Sequence, residues 1–174
     1  MLNYNVKIGL VAMRRNTTDR PRGTFLTWYS AEQRGERFVK YIEENFTSEH
    51  VSFVDSRGLG HENLIYDDAS AAQMIERMKN EKVDAVFIIN CNFGNEEAAA
   101  DIAEALGNPV LLWAPLDDEY YVDGMRPTDS QCGSFGLSRQ MQRYHIPFSH
   151  INFCRVESDT FAVAFDSFVR VACR

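Results

Sequence analysis

A chain of 174 residues, 45% apolar and 25% charged, is long enough for one sizeable core and short for two, so a single domain over 1–174 is expected. Its formal net charge of -7 argues against general nucleic-acid binding, in which phosphate neutralisation is the main term. No apolar stretch follows a basic N-terminal segment and no run is long enough to cross a bilayer, so neither a signal peptide nor a membrane span is read and the cytoplasm is the default location.

The first strand is expected over Val6 to Ala12, apolar nearly throughout. A polar loop from Met13 to Tyr29 follows, with Arg14, Arg15, Arg20 and Arg22 close together. Such arginines are not expected in a core; they are solvated, or they face a ligand or partner. Ser30, with Gln33 three residues on, has capping-box spacing, which predicts a helix from Ala31 to about Phe46 whose Phe38, Ile42 and Phe46 share one face. A short strand, Val51 to Val54, leads into a loop with Gly58-Leu59-Gly60. That Gly-x-Gly lacks the third glycine of a dinucleotide fingerprint and does not follow the first strand, so it reads as an ordinary turn.

The second helix is expected from Asp68 to Lys79, with Ala71, Met74, Ile75 and Met78 as its core stripe. Val83 to Ile89 is apolar except for Asp84 and reads as a central strand covered on both faces. An Asn-Cys-Asn-Phe-Gly turn then opens a helix from about Asn95 to Leu106, closed by Gly107. Pro109 to Ala114 is the fourth strand, and its long acidic exit loop runs from Pro115 to Ser130. A helix from Gln131 to Tyr144, a weak strand from Ser149 to Phe153 and a last helix from Ser158 complete the chain. Five such alternations imply a flavodoxin-like three-layer sandwich: a five-stranded parallel sheet of order 2-1-3-4-5 with helices on both faces.

In that order the loops after strands one and three flank the switch point, so the arginine loop and the Asn90 to Asn95 turn are predicted neighbours, with Asp129, Gln131 and Cys132 beside them. Free N–H groups at the start of the third helix favour anionic or hydroxyl-rich ligands. A phospho-receiver needs an acceptor Asp after strand three and acids after strand one; Asn90 and Arg14-Arg15 stand there instead. A flavodoxin needs a phosphate loop after strand one, of which Asn16-Thr17-Thr18 is a weak echo. Cys91, Cys132, Cys154 and Cys173 form no CxxC pair and read as free thiols; Cys91 lies where a helix N-terminus could lower its pKa, yet it has no partner in sequence. The four histidines are scattered and no metal-ligand spacing occurs.

The stretches NCNFGNEEAAADIAEALGNPVLLWAPLD, DGMRPTDSQCGSFGLSRQMQRYHIPF and NFCRVES together resemble the N-terminal domain of the L-fucose/L-arabinose isomerase family, especially its fucose isomerase-like members. The resemblance covers nearly the whole chain and implies a flavodoxin-like domain, in agreement with the element count. It further implies that full-length members convert aldoses to ketoses with a divalent metal, commonly manganese, held by later domains; no cofactor is assigned to this chain, which alone is expected to be inactive. By match of position, the implied substrate-facing residues are Arg14, Arg15, Asn92, Phe93 and Gly94, with Asp129, Gln131 and Cys132 as an extension. Arginine can donate to sugar hydroxyls and Phe93 can cover an apolar sugar face, while Phe93 could equally pack under its turn and Gln131 could cap a helix.

The implied setting is a sugar substrate at a subunit interface of a homo-oligomer, with no nucleic acid and no membrane. The chain is expected to be a domain cut from a longer protein or a separately encoded piece. Two other readings stand beside it: a stand-alone sugar or sugar-phosphate binding module, and a structural assembly domain whose loops contact protein.

Overall fold

The computed structural model describes residues 5–16, 28–119, 124 and 126–173. Strands and helices alternate in chain order as β1 (Val6–Met13), α1 (Trp28–Phe46), β2 (Val51–Asp55), α2 (Asp68–Glu81), β3 (Ala85–Asn90), α3 (Glu96–Leu106), β4 (Val110–Pro115), α4 (Ser130–Arg143), β5 (Phe148–Cys154) and α5 (Asp159–Ala172). All neighbouring strands pair in parallel, in the order β2-β1-β3-β4-β5. This is the expected three-layer sandwich.

Side-chain alternation along the strands divides the core in two. Phe87 and Ile89 of β3 point to one face, where they meet Phe38 and Ile42 of α1 and Phe161 and Phe165 of α5. Val86 and Ile88 point to the other, against Met74 and Met78 of α2, Ile102 of α3 and Met141 of α4. Because β3 is central and covered on both sides, all six of its residues are buried, which is why its sequence is apolar without alternation. The edge strand β5 lacks that double cover, and Ser149, His150 and Asn152 are exposed.

Local signals account for the helix ends. Asp67 caps α2 with its carboxylate on the Ser70 N–H while Ser70 Oγ accepts from the Asp67 N–H, a capping box. Asn95 caps α3 through Ala98 N–H, and Gly107 closes it at φ 63°. Ser158 caps α5 through Phe161 N–H. The start of α1 departs from expectation: it is already helical from Trp28, so Ser30 lies inside its first turn and is not the N-cap. Among the expected loop arginines, Arg20 and Arg22 lie outside the described residues.

Candidate functional site at the carboxyl ends of the strands

The turn after β3 forms one rim with the start of the β1 exit loop and the N-terminus of α4. Asn92 joins the first two: its Oδ1 accepts from the Arg15 N–H at 3.2 Å and from the Phe93 N–H at 2.6 Å. Its carbonyl accepts from Asp129 N–H at 2.9 Å, which ties in the third. Beneath it, Asn90 Nδ2 donates to the Ser130 carbonyl at 2.9 Å. Gly133 in the first turn of α4 permits this closeness, since a Cβ there would lie 1.6 Å from the Phe93 carbonyl oxygen. Gly94 sits at φ +86°, a conformation in which a side chain is strained. The Arg15 guanidinium lies 4.6 Å from the centre of the Phe93 ring.

The expected neighbours are thus adjacent, but their exposures differ. Arg15 is exposed and Phe93 half-buried, whereas Asn92 and Gly94 are buried. Arg14 is fully buried with its Nε donating to the Arg15 carbonyl at 2.6 Å, so the expectation that every arginine of this loop stays out of the core fails for it. The reason is local: Arg14 continues the inward-facing end of β1, its N–H donating to the Ile65 carbonyl. Gln131 and Cys132 lie exposed in the first turn of α4, where Asp129 is the N-cap residue, so Gln131 does not cap that helix.

Among the described residues, the buried Nδ2 of Asn92 and Oδ1 of Asn90 lack a hydrogen-bond partner. Beside the rim, a cleft of about 370 Å³ opens between α3 and α4, with Arg15, Gly94 and Arg139 in its walls.

The residue that locks the rim together is Arg34 of α1, 4% exposed. Its Nε donates to the Cys91 carbonyl at 2.7 Å, Nη1 to Asp118 Oδ1 at 2.6 Å, and Nη2 to the Leu116 carbonyl at 3.1 Å and Ser130 Oγ at 3.4 Å. One guanidinium therefore holds the turns after β3 and β4 and the start of α4. Asp117 Oδ1 accepts from Ser130 N–H at 2.8 Å, and Thr128 Oγ1 accepts from Asp118 N–H at 3.2 Å. Reading the sequence missed this group, although a signal existed: Arg34 falls four residues before Phe38, on the apolar stripe continued by Ile42 and Phe46.

Burial pushes the Cys91 thiol up to about 12 against the opposing pull of Arg34, so the helix N-terminus does not activate it. Partial desolvation lowers the pKa of His150, whose Nε2 lies 3.0 Å from Ser134 Oγ. Among the described residues, no group of three metal-ligating side chains could hold a metal ion and no helix is long and apolar enough to cross a membrane.

A search of curated proteins finds no match. The family model described as the fucose/sulfoquinovose isomerase N-terminal domain matches residues 17–174, from the β1 exit loop to the end of the chain. With the match spanning nine of the ten elements and the fold agreeing, the chain belongs to the fucose/sulfoquinovose isomerase family as its N-terminal domain.

Proposed function

We propose that this domain serves an aldose–ketose isomerase by lending a substrate-facing rim and subunit contacts, while the groups that move protons and hold the metal lie elsewhere in the assembly. Arg15, Asn92, Phe93 and Gly94 form the sugar-facing set, with Gln131 at its edge and Arg14 supporting Arg15 from below. The divalent metal, manganese by family resemblance, belongs to other domains of a homo-oligomeric cytoplasmic enzyme.

The observation that supports this reading is the Arg15–Phe93 pair beside Asn92. A guanidinium fixed over a ring offers N–H donors next to an apolar surface, the pairing of contacts that a sugar's hydroxyls and C–H face require. Among the described residues the buried Asn92 Nδ2 lacks a partner, and an acceptor brought by a ligand would satisfy such a donor.

The test is an amide-resolved NMR titration of the chain with L-fucose and L-arabinose. Half a pocket should bind weakly, so shifts at millimolar sugar confined to Arg15 and the Asn92–Gly94 turn are expected, and Arg15→Ala should abolish them. Saturation at micromolar sugar would favour a stand-alone binding module instead. Shifts scattered away from the rim, or none, would remove the substrate-facing role.

A further inference from the structure

We infer that the free edge of β5, with the flanks of α4 and α5 beside it, is the surface on which a second copy of this chain docks, joining the two sheets about a two-fold axis. This rests on the subunit-contact part of the reading above and not on its sugar-facing rim. β5 ends the sheet order, and among the described residues no strand pairs with its outer edge. Edges that must stay single ordinarily carry lysine, proline or inward-pointing charge, because their unpaired N–H and C=O groups otherwise recruit another strand. The β5 sequence FSHINFC has no Asp, Glu, Lys, Arg or Pro. His150 is its one basic side chain, and partial burial lowers its pKa, so it is neutral at pH 7. The opposite edge differs: β2 ends on Asp55, which joins Arg57 and Glu43 in a charged cluster.

The neutral surface continues onto both helices. Ser134 Oγ meets His150 Nε2 at 3.0 Å, which sets that side of α4 against β5. Beside it run Phe135, Ser138 and Gln142, at helical spacing, with Phe135 66% exposed. On the other face of the sheet, the exposed Val171 of α5 shares a cleft with Phe148 and Ser149, and Ala164 and Ser167 lie on its stripe. The charges of these helices lie on other stripes: Arg139 lines the cleft toward α3, Arg143 donates to Gln140, and Asp166 pairs with Arg170. A chain of net charge -7 repels its own copy at long range, so a self-contact forms where the facing surfaces are neutral.

Antiparallel pairing about a two-fold is the arrangement in which an edge can serve its own copy. A bulge in the pairing with β4 follows Ile151, so the stretch able to pair regularly is Phe148 to Ile151. Two such short stretches bury little alone, and the flanking helices supply the rest. Helices of 14 residues are about 21 Å long, and three layers of about 10 Å each present a flank about 30 Å deep. The product is about 600 Å² per copy and about 1,200 Å² in all, the lower end of what a stable dimer needs.

The experiment is sedimentation velocity of the chain over a concentration series, with hydrogen exchange of the β5 amides at its two ends. A reversible monomer–dimer equilibrium is expected, with the outward-facing amides of Phe148 to Ile151 exchanging more slowly at high concentration. Ser149→Lys brings two ammonium groups together across the two-fold, and Phe135→Glu puts a carboxylate where the contact excludes water. Each should raise the dissociation constant about tenfold or more while leaving far-ultraviolet dichroism unchanged. Glu44→Lys, on the exposed side of α1, changes the net charge more than either and should leave the dimer intact. A chain that stays monomeric at its highest soluble concentration overturns the docking surface. So does a dimer that resists Ser149→Lys and Phe135→Glu, or that Glu44→Lys weakens as much; subunit contacts then exist but lie elsewhere. None of these outcomes bears on the fucose shifts at the rim, which test that reading separately.

Discussion

Arg34 illustrates how much a single side chain can organise. Its side chain is 5% exposed while the Asp118 side chain is 44% exposed, so the ion pair itself is screened by water and contributes little. The larger share lies in the bonds to the Cys91 and Leu116 carbonyls, acceptors that would be stranded without it. Arg34→Met should therefore lower stability by about 2–4 kcal/mol, and Asp118→Asn by less than about 1 kcal/mol, in urea denaturation. Equal losses from the two substitutions would show that the ion pair, not the carbonyl bonds, carries the contribution. The sequence offered two kinds of clue at this scale. Arg15 and Phe93 were legible because they stand in turns after strands, where ligands gather; Arg34 was not, because an arginine in an amphipathic helix ordinarily belongs to the wet face. Arg14 was misread on different grounds: its burial follows from the end of β1 continuing inward, which no property of the residue announces.

The elements themselves were largely legible, since strands covered on both faces read as apolar runs and the helices carry regular stripes. Where an end escaped notice, the cap was unorthodox. Gly107 marked the end of α3 at φ 63°, but α2 ends on Lys82 at φ 54° and ψ 55°, the same left-handed geometry on a residue that gives no such warning. The helix consequently runs to Glu81, beyond the expected Lys79. Lys82 N–H donates back to the carbonyls of Lys79 and Met78, so the cap is formed despite the strain of a side chain in this region. Lys82→Gly should relieve that strain and raise stability by about 0.5–1 kcal/mol after the entropy of the added glycine is allowed for. Gly107→Ala should lower it by about 1 kcal/mol. Thermal unfolding of the two variants checks both signs, and a loss of stability in Lys82→Gly would mean that the lysine side chain makes a contribution larger than the strain.

At the scale of the whole molecule, stability and recognition occupy different levels of the same sheet. Below the rim, Phe161 is fully buried and packs on Trp113 at 4.6 Å, on Phe165 at 5.7 Å and on Phe87 at 6.2 Å between ring centres, joining α5 to β3 and β4. Removing it leaves a cavity among aromatic rings held by three elements, and Phe161→Ala should cost about 3–5 kcal/mol. Against a total stability of about 5–15 kcal/mol for a domain, that loss approaches unfolding. Phe93 instead lies half-buried at the rim with a guanidinium over its ring, and Phe93→Ala should cost less than about 1 kcal/mol while removing the amide shifts caused by fucose. Both core layers share the central strands, so the domain should unfold in one cooperative transition in either variant, followed by far-ultraviolet dichroism in urea. A Phe93→Ala protein destabilised as much as Phe161→Ala would make Phe93 part of the core and leave the ligand-facing role to Arg15 and the rest of the rim. If fold stability is unchanged and sugar contact is lost, the rim is a surface that the sheet supports but does not need for folding. That separation would allow the loops after β1, β3 and β4 to be tuned to different sugars while the two core layers stay the same.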